Sequence, residues 1–308
     1  MKASNPTIRK PLIEQIKAQW QWYALLLPSA IYLFLFNYVP MYGIQIAFRN
    51  YRPSKGIWGS QWVGLKYFQQ FISFRNFGMI VGNTAVISMY SLLTFPLAII
   101  LALLLNELKN QRFKKVVQMV TYAPHFISTV VMVSMLNLFL SRSNGLLNNI
   151  IALMGGTRIA FLESTTWFPS IYVWSDVWQH IGFSTIIYIA ALGSVSPEIH
   201  EAALIDGASR FQIMMRINLP CIMPTVIITL ILRCGSILAV GFEKIYLMQN
   251  SMNLDVSQVI STYVYEIGLR SGQFSYSAAI GLFNTVINVA MLLIVNCIAR
   301  KVSDVSLW

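Results

Sequence analysis

About six apolar stretches, each of 23 residues or more, run through the 308-residue chain, near 23–48, 79–106, 116–141, 167–192, 223–245 and 276–299. A membrane helix needs about 20 mostly apolar residues to cross roughly 30 Å of hydrocarbon, so each stretch is long enough for one crossing. The composition agrees: 56% of residues are hydrophobic and 11% charged, where a soluble domain carries about 25% charged residues. A shortage of that size leaves a soluble surface without polar cover. The sequence therefore predicts an all-α integral membrane protein with about six transmembrane helices. Pro28, Pro40, Pro96, Pro124, Pro169 and Pro224 fall in these stretches, and neighbouring helices must compensate each of them.

The net charge of +11 does not point to nucleic acid. The Lys and Arg lie between the apolar stretches, where they set topology and touch lipid headgroups, and no basic stripe interleaves with aromatic residues. With the N-terminus in the cytoplasm, the inner segments 1–22, 107–115, 193–222 and 300–308 hold 12 Lys or Arg in 70 residues, against 8 in 85 outside. The cluster Lys109, Arg112, Lys114 and Lys115 fixes that choice. Cys221, Cys234 and Cys297 all fall at or inside apolar stretches, so they read as inert thiols. The first stretch is too long for the apolar core of a signal peptide and lacks an A-x-A site, so it reads as a retained span. Ahead of it, Leu12, Ile13, Ile16 and Trp20 recur at helical spacing and predict an interfacial helix within 1–22. The expected organisation is that helix, one transmembrane domain over 23–299, and a tail over 300–308, with both termini cytoplasmic.

The loop at 193–222 carries the most specific local signal. Ser196 can cap a helix whose first residue is Pro197, where a missing N–H costs nothing. Gly207 breaks it where positive φ is wanted, Asp206 or Ser209 can cap a second helix, and Pro220 helps end that one. A helix–turn–helix results. Ala202, Ala203 and Ala208 near its elbow let another backbone come close, and Glu201 and Arg210 offer charged anchors.

Glu201-Ala202-Ala203, then Gly207, Ile217 and Leu219-Pro220, reproduce every fixed position and spacing of the EAA loop of binding-protein-dependent ABC importer permeases. The chain resembles that family, and within it the carbohydrate-uptake branch that imports oligosaccharides released from complex polysaccharides. Tyr38–Gly43, Asn83-Thr84, Ala102–Glu107, Tyr122–Ser128, Ile205–Ser209 and Ser306-Leu307-Trp308 carry the wider likeness. The resemblance implies a type I permease fold in a bacterial plasma membrane. It also implies a second permease, usually non-identical, two ATPase subunits that bind ATP and Mg, and an external binding protein delivering the oligosaccharide. Glu201, Ala202, Ala203, Asp206, Gly207, Arg210, Ile217, Leu219 and Pro220 would then form the coupling loop seated on an ATPase. The chain itself has no G-x-x-x-x-G-K-[ST] phosphate loop, so it is expected to hold no cofactor and to be no enzyme.

Charges inside a bilayer cost roughly 2.5–3.5 kcal/mol each on insertion scales, so they are candidates for function. Asp176 shares a helical face with Gln179 and His180, and Trp174 and Trp178 flank them. Carboxylates and amides suit sugar hydroxyls, and aromatic rings suit sugar C–H faces. Equally, Asp176 could pair with a basic residue of another span, Arg233 being the choice from sequence, while the two Trp anchor at the interface. Tyr122, His125, Arg233 and Glu243 complete the set of candidate pathway residues, and Asn284 and Asn288 read as a link between helices. His200-Glu201 begins an H-E-x-x-H zinc motif, but position 204 is Leu204, so no metal is expected. The alternative reading, an ion-gradient-driven secondary transporter, usually comes with an internal repeat, and none is visible. If the elbow couples the chain to an ATPase, Gly207→Val leaves the complex assembled and largely uncoupled. Uptake by the assembled variant measures this, and normal uptake would remove the assignment.

Overall fold

The computed structural model describes residues 17–302, 306 and 307. Leu12, Ile13 and Ile16 of the expected interfacial helix, and Trp308 of the terminal motif, lie outside the described residues.

Helix α1 runs from Trp20 to Phe48 and has no buried residue over its most apolar stretch. It changes pitch on the way, with a π turn at Phe34–Tyr38 and a 3-10 segment at Tyr42–Phe48. Pro40 has no N–H to bond back into the preceding turn, so a wider turn just before it is the expected accommodation. The same device recurs later, where the π turn Met214–Asn218 precedes Pro220.

A hairpin follows, β1 (Arg49–Arg52) antiparallel to β2 (Gly56–Trp62), with Arg49 opposite Trp62. It is the one non-helical element among the described residues. The Arg49 guanidinium donates to the Ser60 carbonyl at 3.0 Å and lies 5.2 Å from the Trp58 ring centre. The Tyr51 amide donates to Ser275 Oγ at 2.9 Å and so ties the hairpin to the last helix.

The remaining helices are α2 (Lys66–Ile72), α3 (Phe77–Glu107), α4 (Gln111–Phe126), α5 (Thr129–Leu140), α6 (Leu146–Leu153), α7 (Phe168–Leu192), α8 (Pro197–Ile205), α9 (Arg210–Gly235), α10 (Phe242–Met248), α11 (Leu254–Ser257), α12 (Ile260–Tyr265) and α13 (Phe274–Val302). Four of these, α1, α3, α9 and α13, are long and apolar enough to cross a membrane unaided; counting each bent pair as one span raises the total to six. The stretch predicted at 116–141 is not one straight helix, because α4 and α5 meet at 100°. Pro124 sits in the 3-10 turn at the break, and Ser128 restarts the chain as the N-cap of α5, accepting from the Val131 amide. The stretch predicted at 223–245 also moves. Its helix begins earlier, at Arg210, and ends at Gly235, and the Leu238 amide freed by the break donates to Asn288 Oδ1 at 3.0 Å.

Three apolar clusters hold the bundle. Ile99, Ala102 and Leu103 of α3 meet Tyr188 and Leu192 of α7 and Ile222 and Val226 of α9, at the end of the bundle next to α8. A second cluster gathers Phe168, Tyr172 and Val173 with Ile87, Val133, Ile245 and Val259, and a third packs Phe71 and Ile80 against Tyr263, Tyr276 and Ile280. Where helices pass closest, only glycine fits. A Cβ on Gly182 of α7 would stand 2.1 Å from the Thr121 carbonyl oxygen of α4, which is backbone and cannot step aside. Gly182→Ala is therefore expected to destabilise the detergent-solubilised protein by about 1–3 kcal/mol. Gly281→Ala, at a position with nothing within 4 Å, should be neutral or slightly stabilising. Thermal midpoints of the two variants measure the contrast.

Candidate coupling elbow and transmembrane polar centre

The elbow is built from its own backbone rules. The Ser196 side chain accepts from the Glu198 amide and caps α8 ahead of Pro197. At the other end Gly207 adopts φ +76°, the Ala208 amide bonds the Ala203 carbonyl at 2.9 Å, and the Gly207 amide bonds the Leu204 carbonyl at 3.1 Å. This pair of bonds is a Schellman ending, which needs a left-handed residue at the position Gly207 holds. Between the two caps left open by the sequence, Ser209 starts α9: its hydroxyl accepts from the Gln212 amide, and the Gln212 side chain accepts from the Ser209 amide at 2.7 Å. Asp206 instead closes α8 as its C-cap residue. Glu201, Ala202, Asp206, Gly207, Arg210 and Pro220 are exposed, while Ala203, Ile217 and Leu219 are half-buried. Ile205 and Phe211, on either side of the turn, are 86% and 67% exposed. Leu219 packs against the α3–α7–α9 cluster, so the elbow's second arm is anchored in the bundle.

Beneath the elbow lies a polar contact absent from the expectations drawn above. His200 Nε2 of α8 is 2.7 Å from Asn218 Oδ1, and Asn218 Nδ2 donates to Glu107 Oε1 at 3.4 Å. Asn218 is 1% exposed. The available signal was a lone amide between Ile217 and Leu219, in a segment otherwise read only for its fixed apolar positions.

Within the bundle, the carboxylate of Asp176 of α7 lies against two basic side chains. His180 Nδ1 lies 3.3 Å from its carboxylate and Lys244 Nζ 3.4 Å. Arg233, the partner expected from sequence, makes no ion pair among the described residues. Ending α9 at Gly235 puts Lys244 on the separate helix α10, from which its buried ammonium reaches Asp176 and the Tyr172 carbonyl. Arg233 instead faces Asp176 across two adjoining cavities of about 160 and 270 Å³, both lined by Ser91, Asp176 and Arg233.

The other candidate residues divide by face. Trp174 and Trp178 are two residues from Asp176 along the helix, about 200° round it. They line a separate apolar cavity with Met132, Met135 and Phe139, and Trp174 Nε1 donates to the Tyr90 hydroxyl. Gln179 is buried and donates to the Ile127 carbonyl at 2.8 Å, so it closes the α4–α5 break. His125 stacks on Phe183, centroids 3.9 Å apart, and its ring centre is 5.4 Å from that of His180. Tyr122 is half-buried and Glu243 exposed, and neither lines the two cavities beside Asp176. The described residues bring together no group of three or more His, Cys, Asp or Glu able to hold a metal.

Residues 94–304 match the family model described as the binding-protein-dependent transport system inner membrane component. The polygalacturonan/rhamnogalacturonan transport system permease protein YteP of Bacillus subtilis is 42% identical over 301 residues, covering 97% of this chain and 94% of that protein. The Bacillus subtilis protein LplB is 42% identical over 287 residues, 93% of this chain and 90% of that one. Among solved structures, a bacterial alginate ABC transporter in complex with a periplasmic protein bound to alginate pentasaccharide contains a chain that superposes with a TM-score of 0.88. That chain shares 38% identity, and the match covers 96% of this chain and 99% of that one. This likeness over nearly the whole length, on a bundle that carries the elbow and a polar centre between its helices, leads to one placement: the chain belongs to the inner-membrane components of binding-protein-dependent transport systems, as a permease subunit of an ABC importer.

Proposed function

We propose that this permease forms half of the translocation pathway for an oligosaccharide released from a complex polysaccharide, and that an ATPase subunit drives it through the elbow at 193–222. The observation that carries the second part is the exposed apolar pair Ile205 and Phe211 at a turn held by main-chain bonds from the Asp206, Gly207 and Ala208 amides. Large exposed apolar side chains on a rigid elbow suit a protein groove. Glu201, Asp206 and Arg210 surround them without ion pairs of their own among the described residues. The substrate class follows from the relatives named for polygalacturonan, rhamnogalacturonan and alginate.

The pathway runs past Asp176 and Arg233, whose cavities offer a carboxylate, a guanidinium and serine hydroxyls to a polyhydroxylated ligand. The apolar part of α1 from Trp20 to Met41, exposed throughout, supports a second permease beside this one, which we take to be non-identical. Two ATPase subunits holding ATP and Mg, and an external binding protein, complete the assembly, in a bacterial plasma membrane with both termini in the cytoplasm. The chain itself hydrolyses nothing. Family membership favours this reading over the ion-gradient transporter.

Affinity purification of the chain from its native membrane should bring down an ATPase, and a preparation that transports without one would end the proposal. Asp176→Asn keeps the size of the side chain and removes its charge; uptake by the assembled complex should fall by at least about tenfold, corresponding to some 1.4 kcal/mol. Trp178→Ala, on the opposite face, should change thermal stability more than uptake. Uptake assays on reconstituted vesicles, with assembly checked by co-purification, separate the two outcomes.

A further inference from the structure

We propose that His200, Asn218 and Glu107 act as a positioning relay that carries movement of α8 into the ends of α3 and α9; this rests on the reading of α8 as the coupling element. The chain alone ties α8 to the bundle unevenly. On one side α8 joins α7 through residues 193–196, across a bend of 77°. On the other side the elbow runs straight into α9. Nothing covalent near the elbow links it to α3, whose last residue is Glu107.

The relay supplies that link. Asn218, buried in the π turn of α9, receives the imidazole of α8 on its carbonyl oxygen and donates its amide to the carboxylate of α3. The direction is fixed by chemistry. A carboxylate only accepts, so the amide must point its nitrogen at Glu107 and its oxygen at His200, whose Nε2 must then carry a hydrogen. Moving α8 without α3 and α9 would leave a buried amide unsatisfied, so the three elements favour moving together.

The test uses the assembled transporter with Cys221, Cys234 and Cys297 replaced by alanine and Ser91→Cys placed in the cavity wall. Labelling by a membrane-impermeant maleimide with and without ATP reports access to the pathway and needs no substrate. His200→Ala and Glu107→Ala should each shrink the ATP-dependent change by roughly fivefold or more while the ATPase still co-purifies. The double variant should be no worse than either single one, because one relay is broken once; losses that multiply would overturn the proposal. Asn218→Asp sets a second carboxylate against Glu107 and should abolish the change, and Asn218→Asp with Glu107→Gln should restore it by reversing the donor. No restoration, or an unchanged ATP response in the single variants, also overturns it. Loss of ATPase co-purification in the parent complex would instead sink the coupling reading beneath it.

Discussion

In hydrocarbon there is no water to take up a free amide or carbonyl, so a helix that stops inside a bilayer must find partners for every group it releases. Side chains meet part of that need in this permease, from other helices at breaks between spans and from the adjoining turn at the elbow. Asn288 of α13 accepts the Leu238 amide beyond α9, Gln179 of α7 donates to the Ile127 carbonyl between α4 and α5, and Ser196 and Ser209 cap the two arms of the elbow. The irregular backbone next to the cavities exists because those donors and acceptors are in place. The shape of the bundle around these cavities is thus set by a few polar contacts between helices, within packing that is otherwise apolar.

What could be read from the sequence follows from range. The elbow was legible almost atom by atom, because the hydrogen bonds made by its capping serines and at its left-handed glycine each span no more than five residues. Spans were legible as apolar runs, yet their bounds were not. The run at 116–141 hides a 100° bend at Pro124, and the run at 223–245 fuses the end of α9 with α10 across a break. Hydropathy averages over such breaks because the residues on both sides are equally apolar. The partner of Asp176 was out of reach for the same reason. Lys244 meets it only once α10 has folded back, across 68 residues of chain.

Helix α7 shows how one element serves two surroundings. Asp176 and His180 look onto the cavities shared with Arg233, and the Trp174–Trp178 pair looks onto apolar side chains of α5. Grouping all four by closeness in sequence merges two faces that a 100° step per residue separates. His180 and His125, 5.4 Å apart, connect the charged face to the α4–α5 break, so the polar centre and the most sharply bent segment are neighbours.

The Schellman ending at Gly207 has a consequence for how such a subunit can diversify. Because carbonyls and amides of the main chain hold the bend, the outward side chains of Ile205, Asp206 and Phe211 have no duty in keeping it. Shape and surface chemistry are thereby separable: one glycine preserves the angle, while the residues around it are free to change without remaking the bend.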